Sequence, residues 1–202
     1  MSDEKDRKIV FLVIGRSGTG KDTLVNYMCQ KYGLKKLKSY TTRPPRQNEG
    51  DTHIFISPED VQKYQDDIIA YTKIGEFEYF ATKSQLKDIN FYIIDPKGVQ
   101  DLENIPNLKE EFSFIKLFIY LPEKERKKRI ALRGDSEEAF LKRQEGEKQQ
   151  FDNFELQTDL FDYAICNMDL IEAQKEIEHI VQFETKQNQL ANKKRRESNQ
   201  WV

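Results

Sequence analysis

An unbroken apolar run, Ile9-Val10-Phe11-Leu12-Val13-Ile14, leads without a spacer into Gly15-Arg16-Ser17-Gly18-Thr19-Gly20-Lys21. No other feature narrows the possible folds so far. A strand that is apolar at every position and rich in β-branched residues has no face to offer to water. It belongs in a sheet covered on both sides, which is the environment of a parallel sheet. The glycines let the backbone curl so that successive N–H groups point into one concavity, a nest for an anion. Beyond them Leu24, Val25, Met28, Cys29 and Tyr32 recur at helical spacing, and Gly33 is a stop signal. Strand, glycine turn and helix in that order set the positive end of a helix dipole behind the nest.

The residues from Gly15 to Lys21 fit G-x-x-x-x-G-K, the core of the phosphate loop that holds a nucleoside triphosphate. Gly15, Ser17, Gly18, Thr19 and Gly20 are the expected backbone contacts, and Lys21 places an ammonium on the outer phosphates. The next residue is usually Ser or Thr, whose hydroxyl ligates magnesium; here it is Asp22, with Thr23 after it. A carboxylate is also a hard oxygen ligand, so Asp22 and Thr23 are the expected magnesium residues, directly or through water.

Further along, buried-strand candidates at Phe91–Ile94, Phe114–Tyr120 and Tyr163–Cys166 alternate with helical patterns, which implies an α/β fold with a mostly parallel sheet. The stretch from Leu34 to about Asn90 is mixed, with short strands at His53–Ile56 and Ile68–Tyr71 and a helix start at Ser57-Pro58-Glu59-Asp60, and reads as an inserted α+β lobe. Leu121-Pro122-Glu123 opens a basic helix to about Arg133. Gly134-Asp135 breaks it, and Asp135 with Glu138 resembles a capping box. Leu170, Ala173, Ile177, Ile180 and Val181 trace one face of a last helix, after which Lys193-Lys194-Arg195-Arg196 lies in a tail without apolar pattern. Residues 1–8 and 189–202 are expected to be disordered.

Length and composition exclude several classes. A chain of 202 residues fits one domain, and no repeat is visible. Its formal net charge is −2, without the basic excess of a non-specific nucleic-acid binder. Two cysteines far apart rule out a disulfide framework, and with two histidines a zinc site or a Ser-His-Asp site is disfavoured. No apolar run approaches a membrane span or a signal peptide, so a cytoplasmic location and no membrane partner are expected.

The segment Ser39-Tyr40-Thr41-Thr42-Arg43-Pro44-Pro45-Arg46 holds two arginines around a stiff Pro-Pro, a guanidinium pair suited to phosphate. With the phosphate loop before it and Arg129-Ile130-Ala131-Leu132-Arg133-Gly134 after it, the chain resembles the guanylate kinase family from about Ile9 to Phe183. Asp95-Pro96-Lys97-Gly98-Val99 and Asn167-Met168-Asp169-Leu170 extend the likeness.

The resemblance implies a P-loop NTPase three-layer fold with a parallel sheet, an inserted acceptor-binding lobe and a helical lid. It implies one domain over 1–188: a core of about 9–34, 91–122 and 151–188, a lobe of about 35–90 and a lid of about 123–150. The implied reaction is transfer of the γ-phosphoryl of ATP, with magnesium, to GMP or dGMP. Arg43 and Arg46 then match the clamp on the acceptor phosphate, Ser39 and Asp95 the guanine contacts, and Arg129, Arg133 and Arg143 the residues that close over ATP. Asn167 falls in the adenine-side loop. The implied partners are nucleotides, on a monomer or homodimer.

Departures from the family pattern lie in the acceptor site. His53 stands where an aromatic is usual, and the family's Tyr-Tyr-Gly is Tyr79-Phe80-Ala81, so a phosphate-contacting hydroxyl is expected to be lost at Phe80. The guanine-reading glutamate aligns to Tyr71, which cannot accept two hydrogen bonds as a carboxylate does. Two other readings follow: a kinase of another nucleotide or of a sugar phosphate, and a non-catalytic interaction module on the same scaffold.

Overall fold

A computed structural model describes residues 6–45, 52–132 and 137–199. The chain runs β1 (Lys8–Ile14), α1 (Lys21–Tyr32), β2 (Tyr40–Thr41), β3 (Ile54–Phe55), a 3-10 helix (Pro58–Asp67), β4 (Ile68–Ile74), β5 (Phe77–Thr82) and α2 (Lys83–Leu86). It continues with β6 (Phe91–Ile93), α3 (Pro96–Glu103), α4 (Leu108–Glu111), β7 (Phe112–Tyr120), α5 (Glu123–Leu132), α6 (Glu137–Leu156), β8 (Tyr163–Cys166) and α7 (Leu170–Asn199).

The first sheet is parallel throughout, in the order β6-β1-β7-β8. The apolar run of β1 is used on both faces. Val10, Leu12 and Ile14 pack with Val99, Leu102, Leu108, Phe151 and Phe154 of α3, α4 and α6. Ile9, Phe11 and Val13 pack with Leu24, Val25, Met28, Ala173, Ile177 and Val181 of α1 and α7. Helices on both faces make the three layers, and they explain why no position of β1 is polar. Because β6 and β7 flank β1, the strand order reverses there, and in open α/β sheets such a reversal opens a crevice at the carboxyl ends of the strands. The glycine loop, Asp95, α5 and Asn167 all leave the sheet at that end.

The second sheet, β3-β2-β5-β4, is mostly antiparallel and lies within the expected lobe. Its Ile69, Ala70 and Ala81 join the core of the main sheet. The hairpin β4–β5 turns at Gly75, whose φ is 63°. At Ser57–Asp60 the helix forms as a 3-10 helix with Pro58 in its first turn, and Ser57 makes no side-chain cap. Tyr64 holds it against Tyr40 and Phe80. The Asp135 capping box lies outside the described residues.

Where the described residues reach into the segments expected to be disordered, they are ordered. Lys8 already belongs to β1, and α7 continues to Asn199. The cause is polar rather than apolar. Asn192, buried, donates to the Arg7 carbonyl at 2.9 Å and accepts the Arg7 N–H at 3.0 Å, and Asn188 donates to the same carbonyl at 3.0 Å. These amides pair the backbone just before β1, so the last turns of α7 need no hydrophobic stripe. Asn192→Leu is expected to cost about 1–3 kcal/mol, because it leaves the half-buried Arg7 N–H without its partner and removes one of two bonds to the Arg7 carbonyl. Lys193→Ala, at an exposed ion pair, is expected to cost under about 0.5 kcal/mol. Denaturant unfolding of the two variants checks this, and equal midpoints would contradict it.

Candidate active site

Steric exclusion shapes the phosphate loop. A Cβ at Gly15 would lie 2.3 Å from the Ile119 carbonyl oxygen of β7. Gly20 has φ 88° and caps α1, and a Cβ there would lie 2.4 Å from Asn167 Nδ2. The loop thus folds against β7 and the turn after β8, and the first turn of α1 carries no side-chain cap. The Arg16 carbonyl is its hub: it accepts from Thr19 Oγ1 at 2.8 Å, from Thr19 N at 3.3 Å and from Lys21 Nζ at 3.0 Å. Lys21 also donates to the Gly15 carbonyl. Asp22 and Thr23 are exposed at the start of α1, with Asp22 3.2 Å from Lys36 Nζ.

On one side of the loop opens a cleft of about 500 Å³. Ser39, His53, Tyr71, Tyr79 and Asp95 all line it, together with Ser17 and Tyr92. Asp95 ends the β6 segment and caps α3, its Oδ1 accepting the Gly98 N–H at 2.7 Å. Arg43 is buried behind Tyr79, donating through Nε to the Tyr79 hydroxyl at 3.1 Å and through Nη1 to the Pro44 carbonyl at 2.8 Å. Its guanidinium lies over the Phe55 ring, 5.5 Å from the centroid, and the His53 ring meets Tyr79 edge-on at 5.9 Å. Arg46 lies outside the described residues.

Strand pairing fixes the neighbours of the two phenols in the β4–β5 hairpin. Thr72 pairs with Tyr79, and Tyr71 with Phe80. Successive side chains point to opposite faces, so Tyr79 turns to Arg43 and His53 while Phe80 stacks on Tyr40 at 5.1 Å. Phe80 carries no hydroxyl, and the phenol beside it in the strand is Tyr79, whose oxygen accepts from Arg43 Nε at 3.1 Å. Tyr71 borders the cleft, but its phenol donates to Glu78 Oε1 at 2.6 Å, and that bond holds its pKa above the ordinary value. Asp95 is the one carboxylate among the described lining residues. Tyr92 was not foreseen: a buried phenol on the cleft wall, bonded to Ser39, whose burial pushes its pKa well up. Its place inside an apolar strand gives no signal in the sequence.

On the other side stand α5, α6 and the turn after β8. Arg129 donates to the Asn167 carbonyl at 2.7 Å and the Met168 carbonyl at 3.4 Å. Asn167 is fully buried and ties the loop down, Nδ2 donating to the Thr19 carbonyl at 2.7 Å. Its Oδ1 is buried without a hydrogen-bond partner among the described residues. Arg133 lies outside the described residues; Arg143 falls within α6, its side chain undescribed.

Sequence reasoning missed Arg16, Arg126 and Glu147. Arg16 is buried and makes charge-assisted bonds to Glu155 at 2.7 and 3.1 Å and Asp152 at 2.7 Å. Burial lowers its pKa, but the hydrogen bonds of Glu155 and Asp152 outweigh that and hold it above the ordinary value. Arg126, also buried, has its pKa lowered by burial and by the nearby charge of Arg16. The available signal was an arginine inside the glycine loop, which needs carboxylates close by, and acidic residues on α6 within reach of one face.

Comparison with known proteins agrees with this geometry. The family model described as guanylate kinase matches residues 6–184. A guanylate kinase of Neisseria gonorrhoeae is 30% identical over 183 residues, covering 85% of this chain and 86% of the relative. One from Clostridium tetani is 26% identical over 186 residues, covering 89% and 88%. Among solved structures, a guanylate kinase from Anaplasma phagocytophilum shares the fold with a TM-score of 0.59 at 20% identity, covering 91% of this chain and 89% of that one. With a phosphate loop and an arginine-backed cleft meeting at Ser17, and a family match over most of its length, this chain belongs to the guanylate kinase family.

Proposed function

We propose that the chain transfers the γ-phosphoryl of ATP to GMP or dGMP, giving ADP and GDP or dGDP. The observation that carries this reading is Ser17: it belongs to the loop that would hold the donor, and it lines the cleft that would hold the acceptor. The acceptor's nucleophile is a phosphate oxygen, anionic at pH 7, so no general base is needed. Alignment and charge neutralisation do the catalysis. Lys21 and the backbone of Gly15, Ser17, Gly18, Thr19 and Gly20 bind the donor phosphates. Arg43, oriented by Tyr79, and Arg46 bind the acceptor phosphate. His53 and Tyr79 wall that end, and Ser39, Tyr71 and Asp95 border the base. Arg129, Arg133 and Arg143 neutralise charge from the donor side, with Asn167 holding the loop.

Magnesium fits the donor set at the start of α1. A magnesium ion keeps several waters and takes one or two protein oxygens beside substrate phosphates, and Asp22 and Thr23 present such oxygens at the surface. When bound it would neutralise phosphate charge. In this reading residues of about 35–90 are the acceptor lobe and about 123–150 the lid, on a monomer or homodimer in the cytoplasm. Among the described residues no helix is long and apolar enough to cross a membrane.

A second acceptor reading rests on Tyr71. With the Tyr71 hydroxyl committed to Glu78, Asp95 is the one carboxylate that the described lining residues offer a base. An ADP-release screen over GMP, dGMP, AMP, CMP, UMP, dTMP and ribose phosphates separates the readings. GMP or dGMP is expected to give the highest kcat/KM. Turnover confined to another acceptor would move the chain to the second reading, and ATP binding without any turnover would favour the interaction module.

A further inference from the structure

The Arg16–Ser17 peptide unit is gripped on both sides. Its carbonyl carries the Lys21 ammonium at 3.0 Å and both hydrogen bonds of Thr19. Its N–H, on Ser17, donates to Glu147 Oε1 of α6 at 2.8 Å. Carbonyl and N–H lie in one rigid plane, so whatever orients the N–H orients the carbonyl. The Arg16 side chain holds the same residue from outside, forked onto Glu155 and Asp152 of the same helix and lying over the Phe151 ring. Glu147 Oε2 is buried with no hydrogen-bond partner among the described residues, and Arg126 Nη1 lies 4.0 Å away. A carboxylate with one oxygen left so poorly paired is costly. Among the described residues its one hydrogen bond is the contact to the loop.

We infer, on the reading of the chain as an ATP-dependent kinase, that Glu147 is a positioning residue for phosphoryl transfer: it fixes the Arg16–Ser17 peptide plane on which the Lys21 ammonium rests, with Arg16 as the second grip. It acts through the loop and not on the substrate. Glu147 therefore governs the donor side, and reaches the Ser39–Asp95 cleft only through Ser17 at its edge.

The test compares wild type with Glu147→Ala and Glu147→Gln in exchange of the Ser17 amide proton, calorimetric affinity for ATP with magnesium, and kinetics with GMP. Glu147→Ala is expected to speed Ser17 exchange about 10-fold or more. It is expected to weaken ATP binding about 10-fold while KM for GMP stays within about twofold. Glu147→Gln keeps an oxygen for the N–H and stays within about threefold of wild type in all three. Unchanged exchange and ATP affinity in Glu147→Ala would overturn the inference. So would equal losses in the two variants, which would assign the effect to charge instead of orientation. Exchange and ATP affinity need no acceptor. A wild type that binds ATP but makes no GDP rejects the GMP reading, and the expected Glu147→Ala effects in that protein still support the clamp.

Discussion

Lys21→Ala is expected to lower kcat/KM for ATP by roughly 10³-fold, the largest single loss in this chain. The ammonium is held against the glycine loop by the Gly15 and Arg16 carbonyls, and on the proposed reading it meets the outer phosphates from there. A preorganised charge costs no reorganisation when the phosphoryl group moves. Lys21 is only partly buried, and the fold rests on the β1 core and not on it. The variant is therefore expected to melt close to wild type. A loss under about 10-fold, in a variant that melts normally, would contradict the role assigned to the loop.

Arg43 is the second. Arg43→Ala is expected to cut kcat/KM for GMP by roughly 10²-fold or more, mostly through KM, with little change in KM for ATP. Arg43→Lys is not expected to rescue it. A point charge cannot reproduce a planar fork that bonds the Tyr79 hydroxyl and the Pro44 carbonyl while lying over the Phe55 ring. Tyr79→Phe removes only the bond that orients the guanidinium, and a loss of about 10-fold or less is expected. Initial rates at varied GMP check the series. If Arg43→Lys matched wild type, the guanidinium would be serving as bulk charge and the clamp would be wrong.

How much of this was legible before any coordinates depends on where each interaction lies along the chain. β1 and its glycine turn were plain, because burial on both faces demands an apolar residue at every position and the close approaches at Gly15 and Gly20 admit no side chain. The cleft was legible through the resemblance: Ser39, His53, Tyr71, Tyr79 and Asp95 come from separate segments, and nothing in their own spacing draws them together. Strand β5 was missed. Phe77-Glu78-Tyr79-Phe80-Ala81 alternates poorly, since one face meets the cleft and core while the other stacks on Tyr40. The end of α7 and the grip of α6 on the loop were missed for one reason. Both rest on polar contacts spanning more than a hundred residues, such as Asn192 to Arg7 and Glu147 to Ser17, and such contacts leave no periodic trace.

The formal charge of −2 likewise hides the local picture. Lys21, Arg43 and Arg129 are placed around one crevice, while Arg16 is neutralised by Asp152 and Glu155. On the proposed reading the first three handle phosphate, whereas Arg16 braces the loop against α6.

The most direct measurement is product analysis after incubation with equimolar GMP, ATP and magnesium. The account predicts GDP and ADP in equal amounts, formed by wild type and lost together in Lys21→Ala. ADP without GDP, or GDP formation unaffected by Lys21→Ala, would contradict it.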